Sequence, residues 1–156
     1  RKEAELALEE ERHLLRMLIE NIANNVYFKD EESRFVMVNQ ATADKMGLES
    51  GADLIGRTDH DFFLDEHADK SRDDELEIME TKASQLQTLE RETWDGRDDS
   101  WVITTKIPWY DRKGEVRGTF GVSSDVSPLV NTQKRLVDVA EQLRMRNESY
   151  EVYSGE

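Results

Sequence analysis

Three features of the sequence predict an α+β fold in which five antiparallel strands carry a block of helices on one face. The first is a long hairpin near the C-terminal end. Its first arm places Trp101, Ile103, Ile107 and Trp109 at alternate positions, with Val102, Thr104 and Lys106 facing the other way. Its second arm places Val116, Gly118, Phe120 and Val122 on one face and Arg117, Thr119, Gly121 and Ser123 on the other. Between the arms, Tyr110 to Gly114 supplies a short loop that Gly114 can close with a positive φ. The second feature is a pair of short β-rich runs near the front, Val26 to Asp30 and Arg34 to Asn39, joined by the polar turn Glu31-Glu32-Ser33. The third is the helical and loop-like character of everything between those runs and a further strand, Leu86 to Trp94. Helices inserted between the second and third strands of an antiparallel sheet have one sheet face to cover.

Residues 3 to about 24 predict a helix rich in Glu, Arg and Leu. Leu8, Leu15 and Ile22 fall seven apart, flanked by Ala4, Leu14 and Leu18. That spacing fits a coiled-coil seam between two chains, or an amphipathic helix packed on its own domain. After the first two strands, Asn39 is a good N-cap, Ala41 to Met46 predicts two helical turns, and Gly47 ends them. Leu48 to Phe63 has no sustained period and predicts short turns and loops. A longer helix follows from Glu66 to about Ala83, its acidic start complementing the positive end of the helix dipole, with Ile78, Met79 and Leu76 as inward residues. In the third strand, Leu86, Thr88 and Trp94 share one side and Leu89 takes the other, and Asp95-Gly96 marks the turn after it. Ser127-Pro128 opens a last helix in which Leu129, Leu136, Leu143 and Tyr150 are again seven apart. Arg146-Asn147 interrupts its stripe, and Glu151 to Glu156 carries no signal. The resulting division is a helical segment over residues 1–24, a core domain over 25–127 and a helix and tail over 128–156.

Composition bounds the function. A chain of 156 residues with 37% hydrophobic and 36% charged residues supports one modest core under a very polar surface. A net charge of −14 lacks the basic footprint that nucleic acid or an anionic membrane surface requires. No apolar run is long enough to span a bilayer. The absence of cysteine removes disulfides and thiol chemistry and suits a cytoplasmic location. The first residue is Arg, which suggests a piece of a longer protein. There is no Gly-rich phosphate loop, and Ser124, His13 and the scattered Asp residues make no nucleophile–base–orienter set, so the chain itself is not expected to be an enzyme. The cluster Asp59, His60, Asp61, Asp65, Glu66 and His67 holds metal-ligand residue types, but at no recognised ligand spacing, and is expected to be a solvated, charge-rich loop.

The order of elements, with Val26-Tyr27-Phe28-Lys29-Asp30, Arg34-Phe35-Val36-Met37-Val38-Asn39, Ile55 to Phe63, Lys106-Ile107-Pro108-Trp109-Tyr110-Asp111 with Gly114, and Gly121 to Ser127, resembles the PAS sensory domain family over residues 20 to 128. The resemblance implies a five-stranded sheet cupping a small cavity, in an input module of a larger signalling protein whose effector is a histidine kinase, diguanylate cyclase or serine phosphatase in the same polypeptide. It further implies that Asp125, Val126 and Ser127 form the junction passing a signal from the last strand to the output helix, and that Asp61 is the loop aspartate that braces its turn. The family's haem ligand would fall near Ser71-Arg72-Asp73, about a turn beyond His67, so haem is not expected. Cysteine-linked flavins and chromophores are excluded, and the cofactor is left unknown.

From the strand faces and helix stripes, the candidate cavity lining is Val36, Val38, Met46, Ile78, Met79, Leu89, Val102, Thr104, Lys106 and Ser123, suited to a small organic ligand with one polar or anionic end. A one-residue slip would substitute Trp101, Ile103 and Ile107. A core filled by side chains, leaving a module that only dimerises, is the alternative. A homodimer is expected through Leu8, Leu15 and Ile22 in the first helix and Leu129, Leu136 and Leu143 in the last.

Overall fold

The computed structural model describes residues 1–154, with Arg1–Asp125 forming one compact unit and the segment from Val126 another. The first unit opens with helix α1, Lys2–Asn21, followed by strands β1, Asn25–Asp30, and β2, Phe35–Val38. Asp30 builds the turn between them, its Oδ1 accepting from the backbone N–H groups of Glu32 and Arg34 at 2.9 Å each. Helix α2, Gln40–Met46, is followed by single 3-10 turns at Gly51–Asp53 and Asp59–Asp61, and then by helix α3, Asp65–Thr81. Strands β3, Gln85–Glu92, β4, Ser100–Tyr110, and β5, Val116–Asp125, complete the sheet. In the second unit, helix α4, Ser127–Ser154, includes Glu151 to Ser154 of the tail that carried no sequence signal; Gly155 and Glu156 of that tail lie outside the described residues.

Every strand pairing is antiparallel, in the order β2-β1-β5-β4-β3. Chain order and sheet order differ because the helices intervene between β2 and β3, which sends β5 to the centre beside β1. The hairpin of β4 and β5 sets Thr104 opposite Ser123 and Lys106 opposite Gly121. Val102, Thr104 and Lys106 are thereby carried to the buried face together with Thr119 and Ser123, while Ile103 is exposed. The even-numbered residues of β4 thus face inward, as the alternation predicts.

Two apolar clusters close the helical side. Phe35, Val38, Ala43 and Leu54 form one, and Phe63, Ala68 and Trp94 the other. Asn39 ties the first to the rest of the fold. Its Oδ1 accepts from Thr42 N–H at 3.1 Å, capping α2, and from Val26 N–H at 3.0 Å, while its Nδ2 donates to the carbonyls of Ile19 and Asn24.

Several expectations need correction. Val36 is 43% exposed, because the irregularity in pairing at Phe28/Lys29 turns Phe35 and Val38, rather than Val36, into the core. Leu89 is 55% exposed: β3 presents Glu90 and Glu92 inward, on the parity that hydrophobic alternation assigned to the outside. Strand β3 ends at Glu92, and Trp94 instead makes an isolated bridge to Phe63. Leu76 is exposed on α3, whose buried residues are His67, Ala68, Ser71, Glu75 and Ile78. Ile22 lies just past the end of α1, in extended backbone, so it does not continue the helical stripe of Leu8 and Leu15.

Candidate functional site

Between the inner sheet face and the helical block lies a cavity of about 30 Å³, room for about two ordered waters. Strand β1 contributes Asn25, Tyr27 and Lys29; β3 contributes Glu90 and Glu92; β4 contributes Thr104 and Lys106; β5 contributes Ser123. From the other side come Thr42, Lys45 and Met46 of α2, Asp59 of the second 3-10 turn, and Phe63, His67 and Ser71 around the start of α3.

Hydrogen bonds and ion pairs join much of this wall in separate groups. Lys29 Nζ donates to Asp59 Oδ2 at 2.6 Å and to Glu75 Oε2 at 2.7 Å, with all three side chains buried. Lys106 Nζ donates to Ser71 Oγ at 3.0 Å and lies 3.8 Å from Glu75 Oε2. Thr104 Oγ1 and Ser123 Oγ are 2.9 Å apart, and Tyr27 Oη is 3.2 Å from the same Ser123 hydroxyl. The imidazole of His67 packs against Phe63, and its Nδ1 lies 3.1 Å from the carbonyl of Arg91, which can only accept, so Nδ1 carries the proton. Lys45 Nζ sits 2.5 Å from Glu92 Oε1 as an ion pair without hydrogen-bond alignment.

Burial and charge pull the titrations in opposite directions here. Burial disfavours the Lys29 ammonium, but Asp59 and Glu75 outweigh it and hold that group protonated above its ordinary range. Burial likewise pushes Asp59 up, and the Lys29 ammonium overcomes this, leaving its carboxyl below the usual value. Tyr27 is pushed upward chiefly by burial, so its hydroxyl stays protonated and able to donate.

Of the expected lining residues, the structure brings Met46, Thr104, Lys106 and Ser123 together at the cavity. Val38, Ile78 and Val102 are buried in the packing around it, Met79 lies on an open depression with Leu76 and Val116, and Val36 and Leu89 face outward. The residues that sequence reasoning missed are mostly charged: Lys29, Asp59, Glu75, Glu90 and Glu92. Strand parity could have found Lys29, Glu90 and Glu92, but a search for apolar inward positions passes over them. The acidic and histidine cluster also needs correction. Asp59 and His67 are buried at the cavity, His60 pairs with Asp69 at 2.7 Å on the surface, and Asp61 Oδ2 accepts from Thr58 N–H at 3.2 Å, bracing the turn. Among the described residues, no three His, Asp or Glu side chains are placed to hold a metal ion, and no helix is long and apolar enough to cross a membrane.

The junction residue Asp125 closes β5, its Oδ2 lying 4.0 Å from Lys45 Nζ, and Ser127 opens α4. Leu8 and Leu15 on α1, and Leu129, Leu136 and Leu143 on α4, are all exposed.

Comparison with known proteins agrees with this geometry. The chain is 26% identical over 147 residues to the virulence sensor protein BvgS of Bordetella pertussis, covering 90% of this chain and 12% of that protein. It is 26% identical over 128 residues to a diguanylate cyclase of Vibrio cholerae, covering 80% of this chain and 39% of the cyclase. Among solved structures it resembles VqmA bound to DPO, with a TM-score of 0.63 and 29% identity over 70% of this chain and 55% of that one. A Vibrio cholerae VqmA dimer matches with a TM-score of 0.65 and 28% identity, over 72% of this chain and 50% of that one. The chain therefore spans only a small part of the curated relatives it matches. The sequence profile of the PAS fold matches residues 19–131, and this chain belongs to that family.

Proposed function

We propose that this chain is the sensory module of a larger cytoplasmic signalling protein. Its cavity takes up a small molecule, and its flanking helices carry the resulting change to an effector domain in the same polypeptide. The observation that supports this reading is the buried ionic lining. Taking Lys29, Asp59, Glu75 and Lys106 out of water costs several kcal/mol per ion before pairing, and a purely structural core would gain by replacing them with apolar side chains. Polar groups converging on a cavity, with perturbed titrations, are what a recognition site requires. The likeness to VqmA bound to DPO and to a virulence sensor points the same way.

In this reading the path to the effector runs through Asp125, Val126 and Ser127, where the last sheet strand passes into α4. The exposed leucines of α1 and α4 then serve as seams of a homodimer. A second reading is favoured by the small volume of the cavity: a filled core in a module that acts only through its helices.

Native mass spectrometry of protein purified from cells, beside the denatured mass, separates the two. A reproducible extra mass that disappears in Thr104→Trp, which fills the cavity from β4, supports ligand sensing. A bare mass under gentle conditions supports the filled core.

A further inference from the structure

The charges around the cavity do not balance in pairs, and the residue left over indicates the chemistry of the ligand. Lys29 is held by Asp59 and Glu75, Lys106 shares Glu75, and Lys45 is held by Glu92. Glu90 remains. Its side chain points inward from β3, only 6% of the residue is exposed, and its Oε1 accepts no hydrogen bond. The cation facing it, Lys70 Nζ, is 3.8 Å away, beyond hydrogen-bond length, and belongs to a largely exposed side chain already donating to Asp74 at 2.9 Å. A buried carboxylate oxygen without a donor is costly, and a donor arriving with a ligand removes that cost.

We propose that the cavity binds a small molecule through a cationic nitrogen head, an ammonium or amidinium, with Glu90 as the anchoring acceptor. This rests on the reading of the cavity as a ligand site. An anionic head fits poorly, because it would have to draw Lys29, Lys106 or Lys45 away from Glu75 or Glu92 and leave a buried carboxylate with less counter-charge. A cationic head displaces only the long contact of the largely exposed Lys70 with Glu90. The hydroxyls of Thr104 and Ser123, which can rotate to accept or donate, lie on the same wall for the remaining polar atoms of the ligand. A cavity of about 30 Å³ suits a compact head group rather than a ring system.

The test uses three probes of nearly identical planar shape and different charge: acetamidinium chloride, acetamide and sodium acetate. Each is titrated into the isotopically labelled chain while the amide NMR signals of Thr104 and Ser123 are followed, with sodium chloride as the salt control. Acetamidinium is expected to give saturable shifts that acetate does not. Glu90→Gln, which keeps shape and loses charge, should weaken its binding about tenfold or more. Lys70→Ala, an exposed change, should tighten it by removing the competing cation. The inference is overturned if acetate saturates as readily, if Glu90→Gln leaves acetamidinium binding unchanged, or if acetamidinium produces no saturable shift. Binding of acetamide or acetate alone overturns the charge assignment while supporting the cavity as a ligand site. Failure of all three probes, together with a bare native mass, removes both.

Discussion

Lys29 Nζ stands 2.6 Å from Asp59 Oδ2, joining the β1–β2 hairpin to the turn that leads into α3 across a buried interface. The same ammonium holds Glu75, so it compensates two carboxylates at once. Lys29→Met should therefore destabilise the fold by about 3–5 kcal/mol, since both acids lose their principal counter-charge. Asp59→Asn should cost clearly less, because Glu75 still neutralises Lys29. Urea unfolding of the two variants checks the order, and a Lys29→Met protein as stable as the parent would contradict the assigned pairing.

The pH dependence follows from the same pair. Asp59 titrates below its ordinary 3.8 in the fold, so its contribution is complete above that value and is lost as pH falls through the folded value. Lys29 titrates above its ordinary 10.5, so its contribution is complete below that value and is lost only as pH rises beyond it. Between these limits the pair adds no slope. The urea midpoint should fall on acidification past 3.8, and Asp59→Asn should flatten that part of the curve without altering the neutral region.

Asn39 is a second fixed point. Its amide satisfies the N–H groups of Thr42 and Val26 and the carbonyls of Ile19 and Asn24. Asn39→Ala removes a helix cap and strands buried backbone groups together, so we expect a loss of about 3 kcal/mol or more. Calorimetry would show it. A loss as small as an ordinary exposed cap would mean that water replaces the amide.

Gly118 tests the central strand contact. Its φ is 151°, and a Cβ there would run into the Lys29 carbonyl and come within 2.7 Å of Trp109 Nε1. That indole donates to the same carbonyl at 2.8 Å. Gly118→Ala should cost about 3 kcal/mol or more, combining backbone strain with overpacking. It should also disturb the Trp109 indole N–H signal, which a remote destabilisation would leave unmoved in the folded protein.

The proposed dimer makes a separable prediction. Removing residues 1–20 or 128–156 should weaken self-association in analytical ultracentrifugation, because each deletion takes away a row of exposed leucines. If both truncated chains associate as the full chain does, the helices are not the seam.

Strand number, antiparallel pairing, the insertion of helices after the second strand and the Gly47 helix end were legible in the sequence, because hairpins, turns and caps depend on residues close in the chain, whereas the placing of β5 beside β1 joins distant ones. The alternation in β4 assigned Thr104 and Lys106 to the inner face, and the Asn39 cap and the Asp61 brace are short-range devices of the same kind. The cavity wall was not legible in this way. Hydrophobic alternation assumes that the inside is apolar, and it therefore sent Glu90 outward and Leu89 inward, the reverse of what the fold does. A buried charge is tolerated only because its partner arrives from a distant element: Asp59 for Lys29, Ser71 for Lys106, Lys45 for Glu92. Local sequence encodes the propensity of each segment, whereas these pairings exist only once the sheet and the helical block have closed on each other and excluded the water that would otherwise solvate each charge alone.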